Sequence, residues 1–347
     1  MRKFSLLHVT IVLGLTWVLF SACQKDAVLE NPVSNSLELD FPSYFPQPHY
    51  QFITNVLSKD RVTLGRELFY DPILSIDSTI SCASCHMQTA AFSDAGKALS
   101  IGVNGAKGTR NSPAIFNMLW NTSFMWDGGI NHLEIMPLAP LTVENEMGEE
   151  MNHLLAKLKS NPKYVQLFKN AFGETGINAT NFFYSLAQFM GSLIAADSKY
   201  DDFRKGKRVL SEDEQKGYQL FLAHCNQCHK EPLFTDYSFH NNGIDTQFTD
   251  IGRGRITLEN LDEGKFKVPS LRNVSLTAPY MHNGQMNTLS EVIDHYSEGI
   301  KQSGTLAVSL QGGFHFSKEE KQQLLLFLHT LTDRNLVLNS EFSAPSK

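Results

Sequence analysis

Apolar positions recur at helical spacing along most of the chain, and stretches with the two-residue alternation of a strand are few and short. Val62, Leu64, Leu68 and Phe69 predict a helix that stops before Asp71-Pro72. Glu149 to Lys159 has the same period. A long helix is predicted from Asn181 to Phe203, with Phe182, Leu186, Phe189, Leu193 and Ile194 on one side. Three further helices are marked by their starts: Ser211 with Glu214, Thr288 with Glu291, and Ser317 with Glu320. Each pair sets a hydroxyl and a carboxylate to satisfy the first free amides of a helix reciprocally. The first of these helices runs through Tyr218, Leu220, Phe221 and Leu222 toward residue 225. The second carries Val292, Ile293 and Tyr296, and the third is leucine-rich from Leu324 to Leu331. Residues 93–117 are rich in Gly and Asn and read as irregular loop. The expected fold class is mostly α.

The first residues follow another pattern. Arg2 and Lys3 precede an apolar stretch from Leu6 to Phe20, interrupted by His8, Thr10 and Thr16, and then Ser21 and Ala22 lead to Cys23. A stretch of about 15 residues is short for a bilayer span and suits an export signal. Small residues before a cysteine, with Gln24 and Lys25 after it, match a bacterial lipobox, although Phe20 stands where leucine is commoner. The expectation is a signal peptide over 1–23 and a lipid anchor on Cys23. An ordinary cleaved signal and an uncleaved anchor are the alternatives. Residues 24–46 are polar and proline-bearing and read as a flexible tether.

Composition narrows the classes further. With 42% hydrophobic and 19% charged residues, the 347-residue chain is ordinary globular material for roughly two domains. The net charge of -6 and the lack of a long basic run argue against nucleic acid as a partner. There are five cysteines. Cys23 belongs to the lipobox. Cys82 with Cys85 and Cys225 with Cys228 form two CxxC pairs, followed by His86 and His229. Two disulfides would also use such pairs but give no reason for a histidine directly after each, and for a zinc ribbon the pairs lie too far apart. CxxCH is the attachment signature of haem c, with both thiols bonded to the porphyrin and the histidine under the iron. One haem per half gives two cytochrome c-like haem domains, 47–205 and 206–347, divided near the charged run Arg204 to Arg208. The last helix is a candidate for packing back on the N-terminal domain.

Several further motifs resemble, in order, those of the bacterial di-haem cytochrome c peroxidase family, including its MauG-like branch. They are Leu64 to Pro72, Gly108 to Pro113, Trp126-Asp127-Gly128, Glu144 to Gly148, Val268 to Asn273 and Thr277 to Gly284. The resemblance implies that the haem on His86 reacts with peroxide and that the haem on His229 transfers electrons. It implies that Glu146 is the acid–base carboxylate, since such a group can move a proton between the two peroxide oxygens. It implies that Trp126 relays electrons between the haems, and that Asn111, Thr277 and Pro279 bind calcium, whose preference for hard oxygens suits them. A structural carboxylate at Glu146 and a packed core indole at Trp126 are the competing readings.

Three positions depart from the peroxidase pattern. Val103 stands where resting peroxidases place a ligating histidine, so the first haem is expected to keep an open coordination position. Tyr296 stands where those peroxidases place an axial methionine, as in the MauG-like branch. Phenolate ligation lowers a haem potential and methionine raises it. A core aromatic at Tyr296, with Met281 or Met286 as ligand instead, remains open; His295 points elsewhere on that helix. Met136 replaces a distal glutamine. The leading expectation is an enzyme that reduces hydrogen peroxide with electrons from a small cytochrome or other redox protein. The alternatives are a MauG-like oxidase acting on a partner protein or small substrate, and a non-enzymatic electron carrier. The expected location is periplasmic, with the membrane reached only through the lipid anchor, and the resemblance leaves a homodimer open.

Overall fold

The computed structural model describes residues 35–346, so the predicted export signal, Cys23 and much of the predicted tether lie outside the described residues. The helices form two groups, each built about a pair that crosses at a glycine. In the first group α1 (Lys59–Tyr70) begins at Ser58, whose hydroxyl accepts the Arg61 amide, and ends at Asp71-Pro72. It is followed by α2 (Cys82–Cys85), α3 (Leu138–Thr142), α4 (Met151–Ser160), α5 (Pro162–Phe172) and α6 (Ala179–Ser192). Helices α1 and α6 cross where Gly65 meets Ser185; a Cβ on Gly65 would lie 2.0 Å from the Ser185 carbonyl oxygen. Only a glycine permits so close an approach of two backbones.

The second group contains α7 (Lys199–Arg204), α8 (Glu212–His224), α9 (Gly254–Thr257), α10 (Leu289–Asp294) and α11 (Lys318–His329), and the chain then ends through α12 (Arg334–Leu338), which packs on the first group. Helix α8 crosses α11 at Gly217, where a Cβ would lie 1.9 Å from the Gln323 carbonyl oxygen. Gly65 and Gly217 each open the same short run, Gly-x-x-Leu-Phe, ahead of a CxxCH. Strands β1 (Phe239–His240) and β2 (Phe266–Lys267) pair antiparallel in a two-residue ribbon.

Two hydrophobic cores result, within one compact unit that begins at Leu37. Leu64, Leu68, Phe69, Phe182, Leu186 and Phe189 centre the first. Tyr200, Phe221, Phe234, Ile293, Leu324 and Phe327 centre the second. Burying a side chain of this size contributes about 1.5–3 kcal/mol. The chain trades segments between the cores: Tyr200 on α7 joins the second, and Leu336 on α12 returns to the first. The Gln88 amide donates to the carbonyls of Leu336 and Asn339, which ties that return to the first CxxCH loop.

Three elements differ from the sequence expectation. The helix predicted over Asn181–Phe203 is two helices, α6 and α7. Asn117 breaks it from outside: its carbonyl oxygen accepts the Ala195 amide and its own amide donates to the Ala195 carbonyl. Asp333 accepts the amides of Ala196 and Asp197, and Ser198 with Asp201 starts α7 afresh. The helix begun at Thr288 is α-helical only to Asp294 and continues as a π-turn over His295–Gly299. The later part of the predicted tether is packed: Phe41 and Phe45 meet Trp120 edge-on, and the Tyr44 hydroxyl donates to Asp201.

Candidate functional site

The two CxxCH segments have the same local construction. Cys82–Cys85 makes one helical turn, in which the His86 amide donates to the Cys82 carbonyl at 2.9 Å. The His229 amide donates to the Cys225 carbonyl at the same distance. In each segment both cysteines and the histidine line the same cavity. After each histidine the loop passes through a buried phenylalanine in the left-handed region, Phe92 at φ 59° and Phe234 at φ 56°. That conformation costs about 1–2 kcal/mol for a residue other than glycine. Here it aims a carbonyl at the histidine ring. His86 Nδ1 lies 3.0 Å from Phe92 O, and His229 Nδ1 lies 3.3 Å from Phe234 O and 3.1 Å from Pro269 O. A carbonyl can only accept, so Nδ1 carries the proton and Nε2 keeps its lone pair. Burial lowers both imidazole pKa values, against the pull of these carbonyls, and keeps the rings neutral as ligands must be.

Both segments face one cavity of about 780 Å³. Its walls carry Cys82, Cys85 and His86 at one attachment segment and Cys225, Cys228 and His229 at the other. All six other candidates within the described residues line the same space: Asn111, Trp126, Glu146, Thr277, Pro279 and Tyr296. The four thiols are free of disulfides. Burial, then the neighbouring thiol, pushes Cys82 and Cys225 up to about 12, so both are neutral.

Glu146 sits in the loop between α3 and α4. Its amide donates to Val143 O and its carbonyl accepts the Val103 amide at 2.8 Å. Gly102 allows that contact, since a Cβ there would lie 2.4 Å from the Glu146 carbonyl oxygen. Burial raises the Glu146 pKa above the usual carboxylate value. Val103 is 2% exposed, and it packs near Gly148, away from the cavity wall. The Trp126 indole N–H donates to Asn111 O at 2.7 Å, and its carbonyl accepts the Lys267 amide at 2.8 Å.

Tyr296 stands on the π-turn, and burial pushes its phenol up to about 12. Of the alternative ligands, Met281 lines the same cavity. Met286 is outside that wall, with its carbonyl taken by the Tyr280 amide. His295 is buried and donates from Nε2 to the Asn242 carbonyl at 2.9 Å. Met136 lines the cavity as an apolar group.

Sequence reasoning missed a charged frame around Trp126. Arg110 makes two bonds to Asp250, at 2.6 and 2.8 Å, and one to Asp127 at 2.7 Å; Arg255 also reaches Asp127. Lys267 lines the cavity with its ammonium 2.7 Å from Ser123 O, and burial pushes that group down to about 8. Its place directly before Val268-Pro269 was the available signal.

The donor set fits two haem groups. Each half offers two neutral thiols and an imidazole with a free Nε2 on one wall of a shared cavity, and among the described residues no three His, Cys, Asp or Glu side chains converge as a compact metal cage. A c-type attachment segment repeated across one cavity defines a di-haem oxidoreductase. Residues 59–209 match the model of the family described as di-haem cytochrome c peroxidase. The chain is 35% identical to the methylamine utilization protein MauG of Methylorubrum extorquens, over 84% of this chain and 82% of that protein. It is 35% identical to the cytochrome c peroxidase Ccp of Escherichia coli, over 78% of this chain and 58% of that one. Among solved structures, a MauG-like protein associated with microbial copper homeostasis superposes with a TM-score of 0.84 at 34% identity, over 89% of this chain and 99% of that one. The chain belongs to the di-haem cytochrome c peroxidase family and is an oxidoreductase of the peroxidase type.

Proposed function

We propose that this chain reduces hydrogen peroxide at the His86 site with electrons that enter at the His229 site from a small cytochrome or other redox protein. The observation that carries the reading is the single cavity joining both attachment segments, with the Glu146 carboxyl on its wall. When bound, a haem at each segment supplies redox-active iron, the first for cleaving the O–O bond and the second for storing an electron. Cys82 and Cys85 hold the first group covalently, and Cys225 and Cys228 the second. His86 and His229 ligate through Nε2, each held by the carbonyl behind it. Glu146 takes the proton from one peroxide oxygen and returns it to the departing one. Its raised pKa favours that exchange, because a group nearer the working pH both accepts and donates. Val103 packs near Gly148 and has no donor atom in its side chain, so it would not ligate a haem bound at His86. Trp126, fixed by its bond to Asn111 O, carries electrons between the segments.

Glu146→Gln tests the reading. Peroxide turnover should fall about 10²- to 10⁴-fold with two haems still bound. A variant as active as the parent rejects Glu146 as the proton carrier.

Tyr296 on the cavity wall supports a second reading, the MauG-like branch, in which it would ligate the second haem. A phenolate there gives the His229 haem a low potential, suited to sharing oxidising equivalents and to modifying a partner protein or small substrate. Spectra of the ferric protein decide between the branches: a phenolate signature supports this one, and a sulfur-to-iron band returns the chain to the conventional peroxidases. Calcium is proposed at Asn111, Thr277 and Pro279. The Asn111 amide donates to the carbonyls of Lys97 and Ala98, which leaves its Oδ1 as an acceptor. Among the described residues the carbonyls of Thr277 and Pro279 accept no hydrogen bond. The proposed location is periplasmic, with a lipid anchor on Cys23; among the described residues no helix is long and apolar enough to cross a membrane. Cys23→Ser should release the protein from the membrane fraction.

A further inference from the structure

The lysine and arginine side chains that line the cavity are Arg110, Arg255, Lys267 and Arg272. The arginines are paired with acids: Arg110 with Asp127 and Asp250, Arg255 with Asp127, and Arg272 with Asp201. Lys267 has no acid partner among the described residues. Its Nζ donates to Ser123 O at 2.7 Å, and the Phe124 ring centre lies 5.9 Å away. An ammonium has three N–H donors, and one neutral carbonyl leaves its charge unbalanced. The Ser123 hydroxyl beside it is buried with no hydrogen-bond partner.

The wall offers no anion of its own to answer the charge. Its carboxylates are Asp127 and Glu146. Asp127 is already taken by both arginines and acts on Lys267 only from a distance. Glu146 has no ion-pair partner among the described residues. Taking a cation out of water costs more than one neutral acceptor returns, so a partly buried ammonium calls for a counter-charge. The lysine is also fixed in place. Its backbone belongs to β2, paired with Phe239 of β1. Its amide donates to Trp126 O at 2.8 Å, so backbone and side chain both grip the 123–126 segment.

We propose that Lys267 binds a propionate carboxylate of a haem held in this cavity and so sets the potential of that haem. Hydrogen peroxide is neutral and cannot balance the ammonium. Propionates are the anions that the attachment segments bring into this space. A cation beside a haem favours the ferrous form, whose net charge is lower by one unit. Lys267 therefore holds up the potential of the haem it pairs with, and it ties that haem's carboxylate to the segment carrying Trp126. The inference rests on haem binding and is independent of the peroxide reaction.

The test uses the full-length di-haem protein with Lys267→Met, which deletes the charge, and Lys267→Arg, which keeps it. Haem content is read by pyridine haemochrome assay, the potential of each haem by spectroscopic titration, and the propionate bending bands by resonance Raman. Lys267→Met should shift the reduction equilibrium of one haem on the order of tenfold toward the ferric form, about the effect of one unit charge acting over roughly 10 Å at an effective dielectric near 20. The propionate band of that haem should move with it, and the haem that moves is the one that supplies the carboxylate. Lys267→Arg should return both readouts to those of the parent. Should Lys267→Met lose a haem, two haems in Lys267→Arg support the inference equally, since the two variants differ in charge. Two haems with unchanged potentials and unchanged bands in Lys267→Met overturn it. So does a haem loss or a shift that Lys267→Arg shares, because the site would then need the shape of lysine and not its charge. Neither result touches the peroxide reading, which turnover tests separately.

Discussion

Arg272 is the perturbation whose cost follows most directly from the contacts. Its side chain is wholly buried and pairs with Asp201, also buried, through two bonds of 2.9 Å. Its Nε and one Nη donate to Pro232 O, just after the second CxxCH, and its guanidinium lies 4.8 Å from the Phe45 ring centre. One guanidinium thus joins α7, the second attachment loop and the N-terminal segment. Arg272→Met keeps the volume and deletes the charge. Asp201 would retain its bonds from Ser198 and Tyr44 but no cation. Removing one partner of a buried pair costs about 3–5 kcal/mol, a large part of the roughly 5–15 kcal/mol that holds a domain folded. At an m-value of about 3 kcal/mol/M in urea, the midpoint should drop by about 1–2 M. Arg272→Met with Asp201→Asn should cost less than Arg272→Met alone, because no bare charge is left.

The pH dependence has a definite sign. Burial alone would raise the Asp201 pKa; the charge and hydrogen bonds of Arg272, helped by Ser198, bring it below the ordinary carboxylate value. The pair's stabilisation is therefore complete above that ordinary value and is lost as pH falls through the depressed one. Arg272→Met should remove this share of the acid sensitivity. A loss under about 1 kcal/mol in urea unfolding would refute the reasoning, since it would mean that Asp201 takes up a proton or water at little cost.

Other outcomes follow from features of each half. Gly65→Ala and Gly217→Ala each force a methyl group onto a backbone carbonyl, so each should cost about 1–3 kcal/mol or more in thermal or urea unfolding; a neutral effect at either site would mean that its helix crossing is loose. Cys82→Ala with Cys85→Ala should remove one haem by pyridine haemochrome assay and abolish peroxide turnover, while the second haem's spectrum persists. Chelation of calcium should slow haem-to-haem electron transfer in stopped-flow traces, and unchanged rates in protein shown to be calcium-free would reject the site.

What could be read in advance was local. The attachment segments are contiguous, and the capping boxes at Ser211, Thr288 and Ser317 span one turn each; all three are formed. The motif residues Glu146, Trp126 and Tyr296 do reach the cavity. What escaped was set by partners distant in sequence. The break between α6 and α7 is imposed by Asn117 and Asp333. The π-turn goes with Gly313, where a Cβ would lie 2.6 Å from Ser297 O, and with Phe314, which captures the Tyr296 carbonyl. No window of sequence contains those pairs.

The repeated helix crossing bears on how two such sites come to differ. Gly-x-x-Leu-Phe, the single turn of cysteines and the left-handed phenylalanine behind the histidine appear twice with nearly the same geometry. The scaffold of each attachment segment is one device used again. The rest of the shared cavity wall does not repeat: Glu146 comes from the 143–148 loop, and Tyr296 and Met281 come from segments with no counterpart in the other half. Exchanging those residues between the halves, with the attachment segments untouched, would measure how much of any difference between the two sites the repeated scaffold itself carries.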